Sequence, residues 1–165
     1  MSKKVLVGFD IGSSFVKGSV INADDGELIA SASAPNQEMK MKSPEPGMAE
    51  QDPELWWEQV KAVTQKLLAS ETFKKEDVAG IGISYQMHGL VAIDKEKEVL
   101  RPSIIWCDSR AASIGREAFQ DLGEDFCLKN YLNSPGNFTA SKLKWVKENE
   151  PDIYDEIWKI MLPGD

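Results

Sequence analysis

Asp10, Gly12, Ser13, Ser14 and Lys17 are gathered in the short stretch that follows Val5-Leu-Val-Gly-Phe9, and these residue types together can hold a chain of phosphates. Backbone N–H groups and hydroxyls at a tight turn cradle phosphate oxygens, an ammonium adds a point charge, and a strand-end carboxylate can face a metal ion. A helix-opening phosphate loop has a different signature, a glycine-rich turn closed by lysine and a hydroxyl that feeds a helix. Here Phe15-Val-Lys-Gly-Ser-Val-Ile21 is β-branched and aromatic with a two-residue alternation, so the turn joins two neighbouring strands. The chemistry suggested is ATP handling at the edge of a sheet. Read alone, the same residues also fit an ordinary strand-to-turn junction, and Lys17 also fits a solvated strand residue.

A second group follows predicted strand ends, where open α/β sheets place ligands. Tyr85-Gln-Met-His-Gly89 succeeds an apolar strand, and Trp106-Cys-Asp-Ser-Arg110 succeeds another. His88 reads either as a ligand contact or as an imidazole satisfied by a backbone carbonyl, and Met87 as a pocket wall or as core. Trp106 and Asp108 together suit a polyol, since indole faces pack on sugar C–H groups and carboxylates accept hydroxyl hydrogen bonds. The plainer reading makes Asp108 an N-cap and Arg110 a surface residue of a helix's first turn.

The elements that must position these residues begin with three sequential antiparallel strands, Lys4 to Phe9, Phe15 to Ile21 and Leu28 to Ala34, the second turn being the hairpin signal Asn22-Ala-Asp-Asp-Gly26. Pro35 to Asp52 is polar and broken by Pro44, Pro46 and Gly47, so it reads as a long surface loop of the kind that covers a site. Asp52-Pro53 opens a helix with Trp56, Val60, Val63 and Leu67 on one face. Val78 to Ser84 reads as a buried central strand closely approached by other backbone. Leu90 to Asp94 and Ser103 to Trp106 are predicted strands; Arg110 to Leu122, Glu124 to Tyr131 and Thr139 to Asn149 are predicted helices. In the last of these Leu143 and Val146 face inward. Pro151 starts a further helical turn and Trp158 to Leu162 reads as a strand. A meander followed by alternating helices and strands is an α/β layered domain with a mixed sheet.

Composition narrows the functions. A formal net charge of -8 argues against nucleic acid or an anionic membrane surface as partner, because both demand clustered Lys and Arg. No stretch approaches the apolar length of a membrane span, so a soluble cytoplasmic protein is expected. Cys107 and Cys127 lack metal-ligand spacing and read as reduced filler. With one histidine in 165 residues, oxygen-ligated magnesium is the plausible ion and imidazole-bound zinc is not. A strand ending in Ile160, Met161 and Leu162 would ordinarily be followed by a covering helix, so the chain is expected to be part of a larger domain.

Five motifs in order, Asp10-Ile-Gly-Ser-Ser-x-x-Lys17, Gln86-Met-His-Gly89, Trp106-x-Asp-x-Arg110, Phe138-Thr-Ala-x-Lys-Leu-x-Trp145 and Leu162-Pro-x-Asp165, resemble the N-terminal domain of the FGGY carbohydrate kinases. Met87-His88 resembles the xylulose-phosphorylating branch; glycerol kinases are similar here but carry an Arg-Glu pair. The resemblance implies an actin-like, ribonuclease H-like ATPase fold, with ATP and Mg2+ held between two such domains. It implies that Asp10 acts near magnesium and the γ-phosphate and that Gly12, Ser13 and Ser14 face phosphate with Lys17. It further implies that Met87 and His88 contact D-xylulose, with Trp106 and Asp108 flanking the same pocket. Residues 1–165 would be an incomplete N-terminal sugar-binding domain, with the general-base aspartate and the ATP-binding domain lying beyond residue 165. A homodimer is one assembly this allows. The alternatives are another kinase of the family, acting on ribulose, gluconate, fuculose or glycerol, and a non-catalytic actin-like binding module.

Overall fold

The computed structural model describes residues 4–165. The chain folds as two compact units, one built from the residues up to Lys40 together with Glu54–Gln86, the other from Met41–Pro53 and Met87–Pro163.

The first unit holds a four-stranded sheet made of β1 (Val5–Ile11), β2 (Val16–Asn22), β3 (Leu28–Ala34) and β5 (Val78–Tyr85), in the order β3-β2-β1-β5. β1, β2 and β3 form the expected antiparallel meander, while β5 runs parallel to β1. Strict alternation dictates which side faces in. Val5, Val7, Phe9 and Ile11 of β1 and Val16 and Val20 of β2 are buried, so the intervening residues stand on the other face. The apolar face is covered by α1 (Pro53–Leu68), whose Trp56, Val63 and Leu67 are buried. Val16, Val20 and Val63 are fully buried, and each such side chain contributes about 1.5–3 kcal/mol through apolar area removed from water. Gly18 marks where helix and sheet meet, because a Cβ there would press on Val63 and Leu67.

β5 departs from its expected setting. Among the described residues it is an edge strand, with Ile81 and Ile83 exposed, and a Cβ at Gly82 would meet nothing within 4 Å. An apolar run reports the surroundings a strand suits, not its rank in the sheet, so Val78–Tyr85 could not be told from a central strand.

In the second unit, β4 (Glu50–Gln51) pairs with β7 (Ser103–Ile104), and β6 (Val91–Ile93) pairs with β8 (Lys159–Met161), both antiparallel. The helices are α2 (Ala112–Leu122), α3 (Glu124–Tyr131), α4 (Thr139–Asn149) and α5 (Pro151–Glu156). Leu90, Ile104 and Val146 form its core, packed by Leu143, Trp145, Ile153, Tyr154 and Ile157. The supposed loop Pro35 to Asp52 thus contains a strand, β4, too short to carry a periodic signal. The strand expected over Ser103 to Trp106 stops at Ile104, and α2 begins at Ala112, two residues after Arg110.

Candidate functional site

In the first unit the turn between β1 and β2 is closed by a hydrogen bond from the Gly12 N–H to the Phe15 carbonyl, 3.1 Å. A Cβ on residue 12 would lie 2.9 Å from that oxygen, so the turn needs glycine. The Ser14 carbonyl accepts from the Met39 N–H at 2.9 Å, which ties the segment after β3 to the turn. Asp10 and Lys17 are cross-strand partners in the register, and both are exposed. They line an open basin on the polar face with Gly8, Ser19, Ser31 and Ser33. The carboxylate is therefore outside the apolar interior, and the chain after Phe15 is strand, as the alternation requires. At the end of β5 the Gln86 N–H continues the ladder to the Ile11 carbonyl at 3.0 Å, while both polar atoms of its side-chain amide are buried without a hydrogen bond.

In the second unit His88 has φ 60°, a left-handed conformation that costs a residue with a Cβ about 1 kcal/mol or more. Three contacts hold it there. Its ring stacks on Phe138 with centroids 5.2 Å apart, its carbonyl accepts from Lys142 Nζ at 2.6 Å, and the neighbouring Gly89 carbonyl accepts from Thr139 Oγ1 at 3.3 Å. Gly89 lies so close to Pro163 that a Cβ would collide with it. Burial, with help from the Lys142 charge, lowers the His88 pKa, so the imidazole is neutral near pH 7. Met87 is 66% exposed and Trp106 47%. The Trp106 carbonyl accepts from Asn137 Nδ2, so the segment 135–139 touches both the His88 loop and the Trp106 loop.

Asp108 is placed differently. Its side chain has no exposed surface, Oδ2 accepts from the Ala49 N–H at 2.6 Å, and both oxygens accept from Arg110. Arg110 also reaches Glu50 Oε1 at 2.8 Å and lies 4.7 Å over the Trp145 ring. Arg101 joins from the other side, 2.6 Å from Glu50 and 2.8 Å from Glu150. Burial pulls the Arg110 pKa down, but its bonds to Asp108 and Glu50 outweigh that and leave it raised, so the guanidinium stays charged. As placed, Asp108 is committed to Arg110 and Ala49, which fix the loop carrying Trp106. The plain reading of Arg110 as a surface residue is overturned by the same geometry, its side chain being 2% exposed.

Lys142, Phe138, Glu50 and Arg101 are engaged residues to which the sequence alone assigned no role. The signal for Lys142 was present, because it lies one helical repeat before the inward Val146. Its side chain is fully buried, and burial is the main cause of a pKa lowered to about 8.

Comparison with known proteins agrees with this architecture. The FGGY family of carbohydrate kinases, N-terminal domain, matches residues 5–165. A curated relative, the xylulose kinase of Escherichia coli strain K12, is 36% identical over 159 residues, covering 96% of this chain and 31% of its own length. A solved structure described as a xyloylose kinase from Brucella ovis superposes with TM-score 0.86 at 36% identity, covering 98% of this chain and 33% of that one. A gluconate kinase from Lactobacillus acidophilus gives TM-score 0.81 at 27% identity, covering 98% and 32%. This chain spans about a third of the length of the curated relatives it matches. The meander with a parallel fourth strand beside β1 is accordingly the actin-like ATPase fold that these sugar kinases have. The motifs, the sheet order and the relatives agree, and the chain belongs to the FGGY family of carbohydrate kinases.

Proposed function

We propose that the full-length protein carrying this chain transfers the γ-phosphate of ATP to the 5-hydroxyl of D-xylulose, this chain supplying the N-terminal, sugar-binding part. The observation that carries the reading is the exposed Asp10 opposite Lys17 beside the glycine-closed turn, in a chain 32–37% identical to several curated xylulose kinases. An exposed carboxylate is a hard oxygen donor suited to Mg2+, and the open Gly12–Ser14 turn with Lys17 suits phosphate oxygens, so the residues fit a magnesium nucleotide. When bound, ATP with magnesium supplies the transferable phosphoryl group and the cation that offsets its charge. Asp10 would hold the ion, directly or through water, Gly12 would shape the turn through its bond to Phe15, and Ser13, Ser14 and Lys17 would hold phosphate oxygens.

On the sugar side, a neutral His88 both donates and accepts, which suits hydroxyl groups. Met87 and Trp106 offer exposed apolar surface to sugar C–H groups, and Asp108 acts by fixing the Trp106 loop through Arg110. Most of the rate in phosphoryl transfer comes from positioning and charge stabilisation, which requires groups on both sides of the reacting phosphate. We place the proton-accepting aspartate and the nucleotide domain in the remainder of the protein, and we place the protein in the cytoplasm because the proposed reaction draws on ATP. Among the described residues no helix is long and apolar enough to cross a membrane.

The test is sugar-dependent ADP release by the full-length protein across a panel of ketoses, polyols and sugar acids. D-xylulose should give the highest kcat/KM, and preference for another sugar overturns the substrate assignment. The gluconate kinase likeness makes a sugar acid the informative competitor. Residues 1–165 alone should show no turnover. His88→Ala should raise the sugar KM about tenfold, the worth of a lost hydroxyl hydrogen bond, while leaving the ATP KM within twofold.

A further inference from the structure

We propose that Lys142 is a positioning residue for the sugar site, its buried ammonium holding the His88 carbonyl and thereby keeping residue 88 left-handed with its ring on Phe138. The inference rests on the reading of His88 as a sugar contact. Four observations converge on it. Lys142 is the largest fully buried side chain among the described residues, in a unit with ample surface for a lysine head group. Lysines are almost never placed so deep without a specific partner. Its Nζ donates to a backbone carbonyl at 2.6 Å, and that carbonyl belongs to the residue in a strained conformation. The same helix supplies Phe138, at its N-terminal boundary, and Thr139 to the same two-residue loop.

A lone carbonyl would not require a charge. A hydroxyl or amide would satisfy it with less desolvation, so burying an ammonium here favours a strong, charge-assisted bond that opposes relaxation of His88. The charged and titratable groups facing the ammonium are Asp108, Cys107 and Arg110 from the segment before α2, and His88 itself. Asp108 and Cys107 favour the charged lysine, while burial and Arg110 oppose it, leaving the amine close to titration at mildly alkaline pH. Loss of its proton would weaken the bond to His88 and slacken the loop.

His88 is the only histidine of the 165 residues, so its Cε1–H gives a single histidine signal of its kind in NMR spectra of this chain. Raising the pH through about 8 should move that signal a second time, after its own titration is complete. The second inflection should persist in Cys107→Ser and vanish in Lys142→Gln and Lys142→Met. Both lysine variants should also raise the His88 pKa toward 6.5 and remove the upfield ring-current shift from Phe138. An inflection that survives lysine substitution, or none at all in the unsubstituted chain, overturns the proposal. If both lysine variants fail to fold, the titration of the unsubstituted and Cys107→Ser chains still decides it.

The functional arm uses the full-length protein. Lys142→Gln should raise the sugar KM at least fivefold with the ATP KM within twofold, and the loss should shrink below twofold when His88 is already alanine. Losses that multiply, or that fall equally on sugar and ATP, overturn the positioning role. Absence of sugar-dependent turnover in the unsubstituted protein sinks the kinase reading instead, and leaves the NMR result to judge the clamp.

Discussion

The two units treat charge in opposite ways. In the first, Asp10 and Lys17 stand exposed on the polar face of a sheet whose other face is apolar. In the second, Asp108, Arg110, Glu50, Arg101 and Lys142 are buried and bound to one another or to backbone. An exposed charge has its water to exchange for a ligand, whereas a buried pair has already given up water for its partner. The difference separates groups available for chemistry from groups that set the shape of the loops bearing it. Near Trp106 the same short segment contains both kinds, an exposed indole and a buried carboxylate two residues later.

The sharpest way to break this contrast is to remove one carboxylate from each unit. Asp108→Ala leaves Arg110 buried without its main partner and should cost about 3–5 kcal/mol in urea unfolding. A loss under about 1 kcal/mol would mean that the cluster relaxes into solvent and is not architecture. Asp10→Asn should change stability by less than about 0.5 kcal/mol, as for an exposed surface site, yet lower kcat of the full-length protein by roughly a hundredfold or more. Equal effects on both readouts would erase the distinction.

Lys142 sharpens the contrast through pH. Its pKa in the folded chain is about 8, below the ordinary 10.5, so the folded form releases this proton first as pH rises. Between those values the unfolded chain binds more protons, and the stability owed to Lys142 increases with pH, to be lost again as pH falls through about 8. In a Cys107→Ser background, which removes the nearby thiol, the urea midpoint should rise between pH 8 and 10 relative to the same chain carrying Lys142→Met. Parallel pH curves would contradict the burial of a charged lysine. The smallest effect is expected at Lys144, whose exposed pair with Glu148 is 3.7 Å long. Lys144→Ala should cost only a few tenths of a kcal/mol, and a cost above about 1 kcal/mol would show that exposed pairs matter here as much as buried ones.

Much of the fold was legible because its signals are local. The alternation of Val5, Val7, Phe9 and Ile11, the turn Asn22 to Gly26 and the helices Glu124 to Tyr131 and Thr139 to Asn149 each depend on neighbours in sequence. β4 has two residues and exists only because β7 lies opposite, so nothing within Glu50-Gln51 announces it. The rank of β5 in its sheet is likewise decided by residues distant from Val78–Tyr85. Of the candidate site residues, Asp10, Gly12, Ser13, Ser14 and Lys17 were readable as one turn because a hairpin brings near sequence together. The commitment of Asp108 to Ala49 and of Lys142 to His88 joins positions far apart in the chain, and no periodicity or spacing encodes such a pairing. Buried charges are the recurring blind spot, since a polar residue type argues for the surface until its partner is known.

Gly89 packed against Pro163 has a consequence for how the protein is made. The loop bearing His88 emerges from the ribosome well before the proline that seats it and before β8, which pairs with β6 next to it. Local turns such as Gly12 to Phe15 can close as soon as they are made, while the His88 loop must wait for this long-range closure. The β1–β2 turn therefore forms from neighbouring residues, whereas the His88 seat needs residues far downstream, so a nascent chain halted before Pro163 would own the first without the second.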